Sequence, residues 1–341
     1  MAFSRGKLVR TALLAAGFVF LVAVFAHEGF GEMWARISRI GVAAFGLMLA
    51  LSFLWNACST LGWYLTFDGS GGVVRPVSYG RLFFVRWAGE SINTITPLMN
   101  LGGEPVRIAL MRRHLETHQA AATVILDKSI FTIAGIIHMV SGVVVGFWVF
   151  DLPESVAWIE AIVAGILMMA AVILVTLIRR GKTLLSLVGW LRRAGIRFSD
   201  DTLEKVEQID DELTIFYRTH RARFWTALTA HLAGRMSRML DVLVVAWAFG
   251  IGMSAWEAHA IAAATVIINV SFSFIPQQVG ANEGGHGLLF KAVGLGWRDG
   301  LSTGLVRRAR TLVFALMGYV VLVIHQWRSP DGTVMSGKAA A

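Results

Sequence analysis

Four ionisable residues share one face of an otherwise apolar segment, residues 224–250. His231, Arg235 and Arg238 stand at spacing i, i+4, i+7, and Asp241 follows three later. Helical periodicity places all four within about a third of the circumference. An unpaired charge at mid-membrane costs on the order of 3 kcal/mol, so such a face must turn inward. It reads in two compatible ways. One is a cationic wall for an anionic headgroup. The other is an internal network in which Arg238 and Asp241 neutralise each other and Arg235 meets a Glu from elsewhere in the chain.

Two glutamates supply that second charge. Pro97-Leu98-Met99-Asn100-Leu101-Gly102-Gly103-Glu104 and Pro276-Gln277-Gln278-Val279-Gly280-Ala281-Asn282-Glu283 each place a Glu seven residues after a Pro. A charged group follows about 24 residues on and opens an apolar run: Asp127-Lys128 in the first copy, Arg307, Arg308 and Arg310 in the second. Gly and Pro interrupt a helix, and a broken helix offers dipole ends and free backbone groups to a headgroup or ion. The plainer reading is close helix packing through Gly. Recurrence of the motif favours function. Glu90, four residues after Arg86, pairs with it along one helix and precedes Asn93, Thr94 and Thr96, which line a cavity. The candidate substrate-binding set is Glu90, Asn93, Glu104, Arg107, His231, Arg235, Arg238, Asp241, Glu283 and Arg307.

Other polar residues take humbler roles. Asp127 and Lys128 either line the site or anchor a helix by snorkelling. Arg307, Arg308 and Arg310 are anchors first and ligand contacts second. His138 and Asn269 read as hydrogen-bond formers between packed helices. His114 and His118 have the spacing of a metal pair with Glu116 nearby, yet they sit beside Arg112 and Arg113 without a third ligand, so they read as surface histidines. No nucleophile lies beside a His at a recognisable spacing, so no catalytic residue, metal or other cofactor is expected.

The elements that must hold these residues follow from composition. With 56% hydrophobic and 16% charged residues and a mean hydropathy of +0.63, the chain reads as an all-α polytopic membrane helix bundle. Seven runs, at about 8–26, 41–66, 129–150, 157–178, 224–250, 257–275 and 305–327, meet or approach the length of a span. Mixed segments at 82–100 and 284–300 read as two re-entrant or broken helices. Trp34, Trp63, Trp148, Trp158, Trp225, Trp256, Trp297 and Trp327 stand near the ends of these runs, where amphipathic rings favour the headgroup level.

The expected organisation is two internal repeats. A first membrane half, 1–178, is broken at 97–104, and a second, 224–327, is broken at 276–283. A linker, 179–223, joins them, and a disordered tail, 328–341, closes the chain. Four full spans between the motifs turn both to the same side, which makes the duplication parallel. Apolar Leu203, Val206, Ile209, Leu213 and Phe216 recur near the helical period, so the linker carries an amphipathic helix. Lys and Arg crowd before the first span and at 75–86, 107–128 and 179–223, which places these and the N-terminus on the cytoplasmic side. The basic, then apolar N-terminus is taken as a retained helix rather than a cleaved signal. The net charge of +9 accompanies no nucleic-acid motif. The single cysteine, Cys58, excludes a disulfide framework and Cys-x-x-Cys redox chemistry.

Gly102-Gly103-Glu104-Pro105-Val106-Arg107, Asp127-Lys128, and the block running from Pro276 through Gly280 and Glu283-Gly284-Gly285 to Leu295 and Arg307-Arg308 resemble the lysylphosphatidylglycerol synthase transmembrane-region family. This is the flippase-like module of the multiple peptide resistance factor. The closing block resembles in particular the branch associated with hopanoid biosynthesis. Ala281-Asn282 and Pro276-Gln277-Gln278 depart from the Gly-rich turn of that pattern. The resemblance implies a multi-pass lipid translocase of the bacterial inner membrane, or an accessory to one, moving a polar-headed or hopanoid-type lipid between leaflets. Aminoacyl transfer is not carried over, because no soluble transferase domain follows residue 341. Without a nucleotide-binding loop, movement is passive or is coupled to protons or membrane potential through groups such as Glu104 and Glu283. The alternatives are an intramembrane lipid-modifying enzyme with a Glu or His base, and a scaffold that docks lipid-synthesis enzymes on 179–223. Expected partners are a membrane lipid and those enzymes, with no nucleic acid.

Overall fold

A computed structural model describes residues 38–67, 77–95, 102–150, 154–181, 183–195, 198–272 and 280–327, together with Ala35, Ile275 and Gln278. The span expected at 8–26, Pro97 and Pro276 of the motifs, and the tail 328–341 lie outside the described residues. Among those described there are eleven α-helices and no strand.

The first broken unit is α2 (Tyr79–Ile95), α3 (Glu104–Met111) and α4 (Thr117–Val149). The second repeats that order with α9 (Ala255–Ser271), α10 (Ala281–Ala292) and α11 (Trp297–Trp327). Between them α5 (Glu154–Arg180) is followed by α6 (Thr183–Arg193), α7 (Asp200–Thr219) and α8 (Arg221–Phe249). Helix α1 (Gly41–Tyr64) lies along α8. Local chemistry sets these boundaries. Pro105 sits in the first turn of α3, where a missing N–H is harmless. Ser254 and Glu257 exchange bonds of 2.6 and 3.2 Å in a capping box at the start of α9. Helix α8 ends at Gly250, whose left-handed φ of 70° no β-carbon disfavours.

Helices α1 and α4 are long and apolar enough to cross a membrane by length and composition. At 33 residues α4 is about 50 Å long and joins two apolar clusters at opposite ends of the bundle. At one end Ala120 and Val124 of α4 pack with Trp63, Leu82, Leu110 and Met111. At the other, Phe150 packs with Val242, Ala258, Ile261 and Phe290. Helix α2 therefore starts, and α3 finishes, at the first end. Helix α9 starts, and α10 finishes, at the second. The broken units enter from opposite ends, and this corrects the expected parallel arrangement. The physical reason is length: α9, at 17 residues, is about 25 Å, shorter than the roughly 30 Å of an apolar layer, and α10 runs back along the bundle. The run at 257–275, expected as a span, is the 17-residue α9, after which the chain returns through α10. The other mixed segment, 284–300, is divided between the end of α10 and the start of α11, which runs on through the expected span at 305–327.

The units interlock, α2 packing on α11 and α9 on α4. The linker folds as two helices. Ile209, Leu213, Phe216 and Tyr217 of α7 pack against Leu126 and Ile130 of α4 and Leu228 of α8. Buried Asp210 accepts the N–H groups of Leu184 and Leu185 at 3.0 and 2.8 Å, securing the first turn of α6. Large apolar side chains cover the outside, Ile162, Ile166, Met169 and Ile173 on α5 and Leu312, Leu316 and Val320 on α11 among them.

Candidate functional site

Asp127 is the centre of a first charge hub. It lies fully buried on α4, where its Oδ2 accepts from Arg86 of α2 at 2.6 Å and from Arg107 of α3 at 2.5 Å. His231 Nε2 of α8 stands 3.1 Å from the other oxygen. The Arg107 guanidinium lies 4.0 Å from the Trp63 ring centroid, a cation–π contact. Glu90 reaches Arg86 only at 3.8 Å, so the pairing expected along α2 is secondary to that with Asp127.

A second hub surrounds Asp241 of α8. Its Oδ2 meets Arg307 Nε at 3.1 Å and Arg310 Nη2 at 3.4 Å, both from α11. Arg307 Nη1 also lies 2.8 Å from His286 Nε2 of α10 and 3.3 Å from Thr265 Oγ1 of α9. His286 Nδ1 faces the Asn282 carbonyl at 2.7 Å. A carbonyl only accepts, so Nδ1 carries the proton and Nε2 is left to accept from Arg307. Arg310 donates to Ser52 Oγ of α1 at 2.7 Å.

Each motif glutamate clamps its short helix to the long helix that follows. Glu104 accepts from Lys128 at 2.8 Å. Glu283 pairs with Arg308, whose Nη2 also donates to the Gln278 carbonyl at 2.9 Å. Glu283 further accepts the Gly280 N–H at 2.9 Å, and the matching N–H of Gly103 goes to Asn93 Oδ1 at 2.6 Å. Neither glutamate therefore pairs with Arg235, and Asp241 is held by α11 rather than by Arg238.

Helix α8 is the strut between the hubs. Its His231 joins the first and Asp241 the second, ten residues or about 15 Å apart. Arg235 and Arg238 occupy the interval. Arg235 donates to the Phe131 carbonyl at 2.9 Å and stacks 4.6 Å from that ring. Arg238 lies 4.6 Å from the Trp55 centroid. Close approach makes room for these groups. A β-carbon on Gly62 would stand 2.5 Å from His231 Nε2, and one on Gly135 would stand 2.7 Å from Arg235 Nη2.

All ten candidate residues lie in or beside this continuous polar core. Asp127 carries a larger share than its reading as a possible anchor implied, and Ser52, Trp63, Thr265 and His286 were missed. His286 had a signal: it follows Glu283 by three residues, as Arg107 follows Glu104. One other reading is corrected. The ring of buried His138 makes no hydrogen bond among the described residues and packs edge-on to His259, with centroids 5.0 Å apart. Asn269 does bridge its helix to the second motif, accepting from Asn282 at 2.7 Å and Gln278 at 2.9 Å. At the first end of the bundle, His118 sits 3.5 Å from both Glu116 and Glu212.

Residues 8–318 match the family described as Lysylphosphatidylglycerol synthase TM region. The chain belongs to that family. A member of the lysylphosphatidylglycerol synthase TM-region family is a membrane protein, which gives the apolar exterior its setting. The chain is also similar to a UPF0104 membrane protein of Methanothermobacter thermautotrophicus, 30% identical over 151 residues. That match covers 44% of this chain and 43% of the relative, so it spans less than half of the relative's length.

Proposed function

We propose that this protein moves a polar-headed lipid between the leaflets of a bacterial inner membrane. The observation that carries the reading is the pair of broken helix units entering from opposite ends, each delivering charged side chains to one strut. Inverted pairs of interrupted helices of this kind place a binding site near the bilayer midplane, where rocking of one unit against the other exposes it alternately to each side. Buried charge of this density is costly in lipid and is retained where it serves transport.

Translocation without chemistry on the lipid is favoured over an enzymatic role. Asp127 and Asp241 each hold two guanidinium groups, so both carboxylates are already engaged as ion-pair acceptors. The scaffold reading is disfavoured because the apolar face of α7 is committed to α4 and α8. A lipid-synthesis enzyme supplying the substrate would instead meet α6, where Leu187 and Trp190 are exposed. The narrower likeness to the hopanoid-associated branch concerns the lipid's tails, which the polar hubs do not contact. The test is a reconstituted vesicle assay with fluorescent lipids of differing head and tail, read as the fraction reached by an impermeant quencher. Protein-dependent exposure of inner-leaflet lipid is expected, and exposure equal to that of empty vesicles refutes the proposal.

A further inference from the structure

We infer that Arg235 and Arg238 form a binding site for a phosphate-type anion between the two hubs, which deepens the translocation reading and rests on it in taking that anion to be lipid-borne. Around the strut six guanidinium groups, those of Arg86, Arg107, Arg235, Arg238, Arg307 and Arg310, share three carboxylates, Glu90, Asp127 and Asp241. Arg86, Arg107, Arg307 and Arg310 are tied to them directly. Among the described residues neither Arg235 nor Arg238 forms an ion pair.

Arg235 is only 7% exposed, and its Nε has no partner. The carboxylates that act on Arg238 are Asp241, already held by Arg307 and Arg310, and Glu90, already beside Arg86. Positive charge is therefore in surplus where desolvation is most costly, and a bound anion removes that penalty. The geometry suits one. Spacing of i, i+3 sets the two residues on one side of α8 with about 4.5 Å of rise between their backbone positions, and the rings that their guanidiniums stack on, Phe131 and Trp55, stand 6.3 Å apart, so the two groups can converge on one phosphate. Phe131 and Trp55 back the guanidinium faces, leaving N–H edges to donate. Arg238 and Glu90 are half-buried and open the approach.

The test uses the full chain in phosphatidylcholine nanodiscs, with phosphatidylglycerol or inorganic phosphate added and retention read by native mass spectrometry. Wild type is expected to hold one phosphatidylglycerol in preference to phosphatidylcholine, and Arg235→Gln and Arg238→Gln to hold it about tenfold more weakly. Displacement of that lipid by inorganic phosphate also supports the anion site and assigns it to a free source. Equal retention of both lipids, unmoved by either substitution, overturns it. Should a variant fail to fold, wild type is treated with phosphatidylglycerol bearing a photoreactive headgroup. Adducts at Trp55 or Phe131 support the site, and adducts confined to outward-facing Trp148 and Trp247 overturn it. The two readings separate cleanly. Binding here without leaflet exchange refutes translocation alone, whereas exchange that survives both substitutions without anionic preference refutes the site alone.

Discussion

Removing the Asp127 carboxylate leaves Arg107 buried without a counter-charge and Arg86 with only Glu90, at 3.8 Å. Such losses cost about 3–5 kcal/mol, so Asp127→Asn is expected to lower the thermal unfolding midpoint of the detergent-solubilised protein sharply. Glu104→Gln is expected to cost about 1 kcal/mol or less, since its partner Lys128 keeps 27% of its side chain exposed. Equal midpoints for Asp127→Asn and wild type would show that the first hub does not hold the bundle. The face of His231, Arg235, Arg238 and Asp241 was legible, because spacing alone fixes which side of a helix residues share. Their partners were not. Arg307 is 66 positions from Asp241 and Arg310 is 258 from Ser52, and no local pattern encodes contacts made by the packing of remote helices.

At the level of elements, the close contact of α1 and α8 depends on a position without a β-carbon. Gly62→Ala sets a methyl 2.5 Å from a His231 ring that is itself fully buried, and overpacking of this kind costs about 1–3 kcal/mol. A lowered unfolding midpoint checks it, with restoration expected in Gly62→Ala/His231→Ala. Helix α7 adds a pH response. Burial, with Glu116 adding to it, pushes the Glu212 carboxyl from 4.5 up to about 7, against His118 on the same side. The docked helix holds this proton more tightly than the free helix, so docking is strongest below pH 4.5 and weakens as pH rises through about 7. Hydrogen exchange across 200–219, corrected for intrinsic rate, is expected to accelerate between about pH 4.5 and pH 7, and Glu212→Gln to flatten that rise. Unchanged protection in wild type would remove Glu212 from the docking energetics. The amphipathic pattern announced α7, but buried Asp210 broke it, because its partners are the N–H groups of α6 rather than anything in its own helix.

For the whole molecule the arrangement of the two units is the decisive property. Sequence showed that two interrupted segments recur, but not their relative direction. Residues 257–275 are as apolar as a span, and only the return of α10 reveals that the chain turns back. In a Cys58→Ser background, Arg113→Cys, between α3 and α4, and Lys291→Cys, at the end of α10, are expected to react with an impermeant thiol reagent from opposite sides of the membrane. Reaction from one side would restore the parallel arrangement.

Translocation itself is tested most directly by quencher access to a fluorescent lipid in vesicles holding equal amounts of wild type or Glu283→Gln. Gln keeps the shape of the side chain and removes the charge that clamps α10 to Arg308 of α11. Loss of the inner-leaflet lipid's protection is expected with wild type, and a rate about tenfold lower with the variant, the change that about 1.4 kcal/mol in a barrier produces. Equal rates for the two proteins, or protection unchanged by wild type, would contradict it.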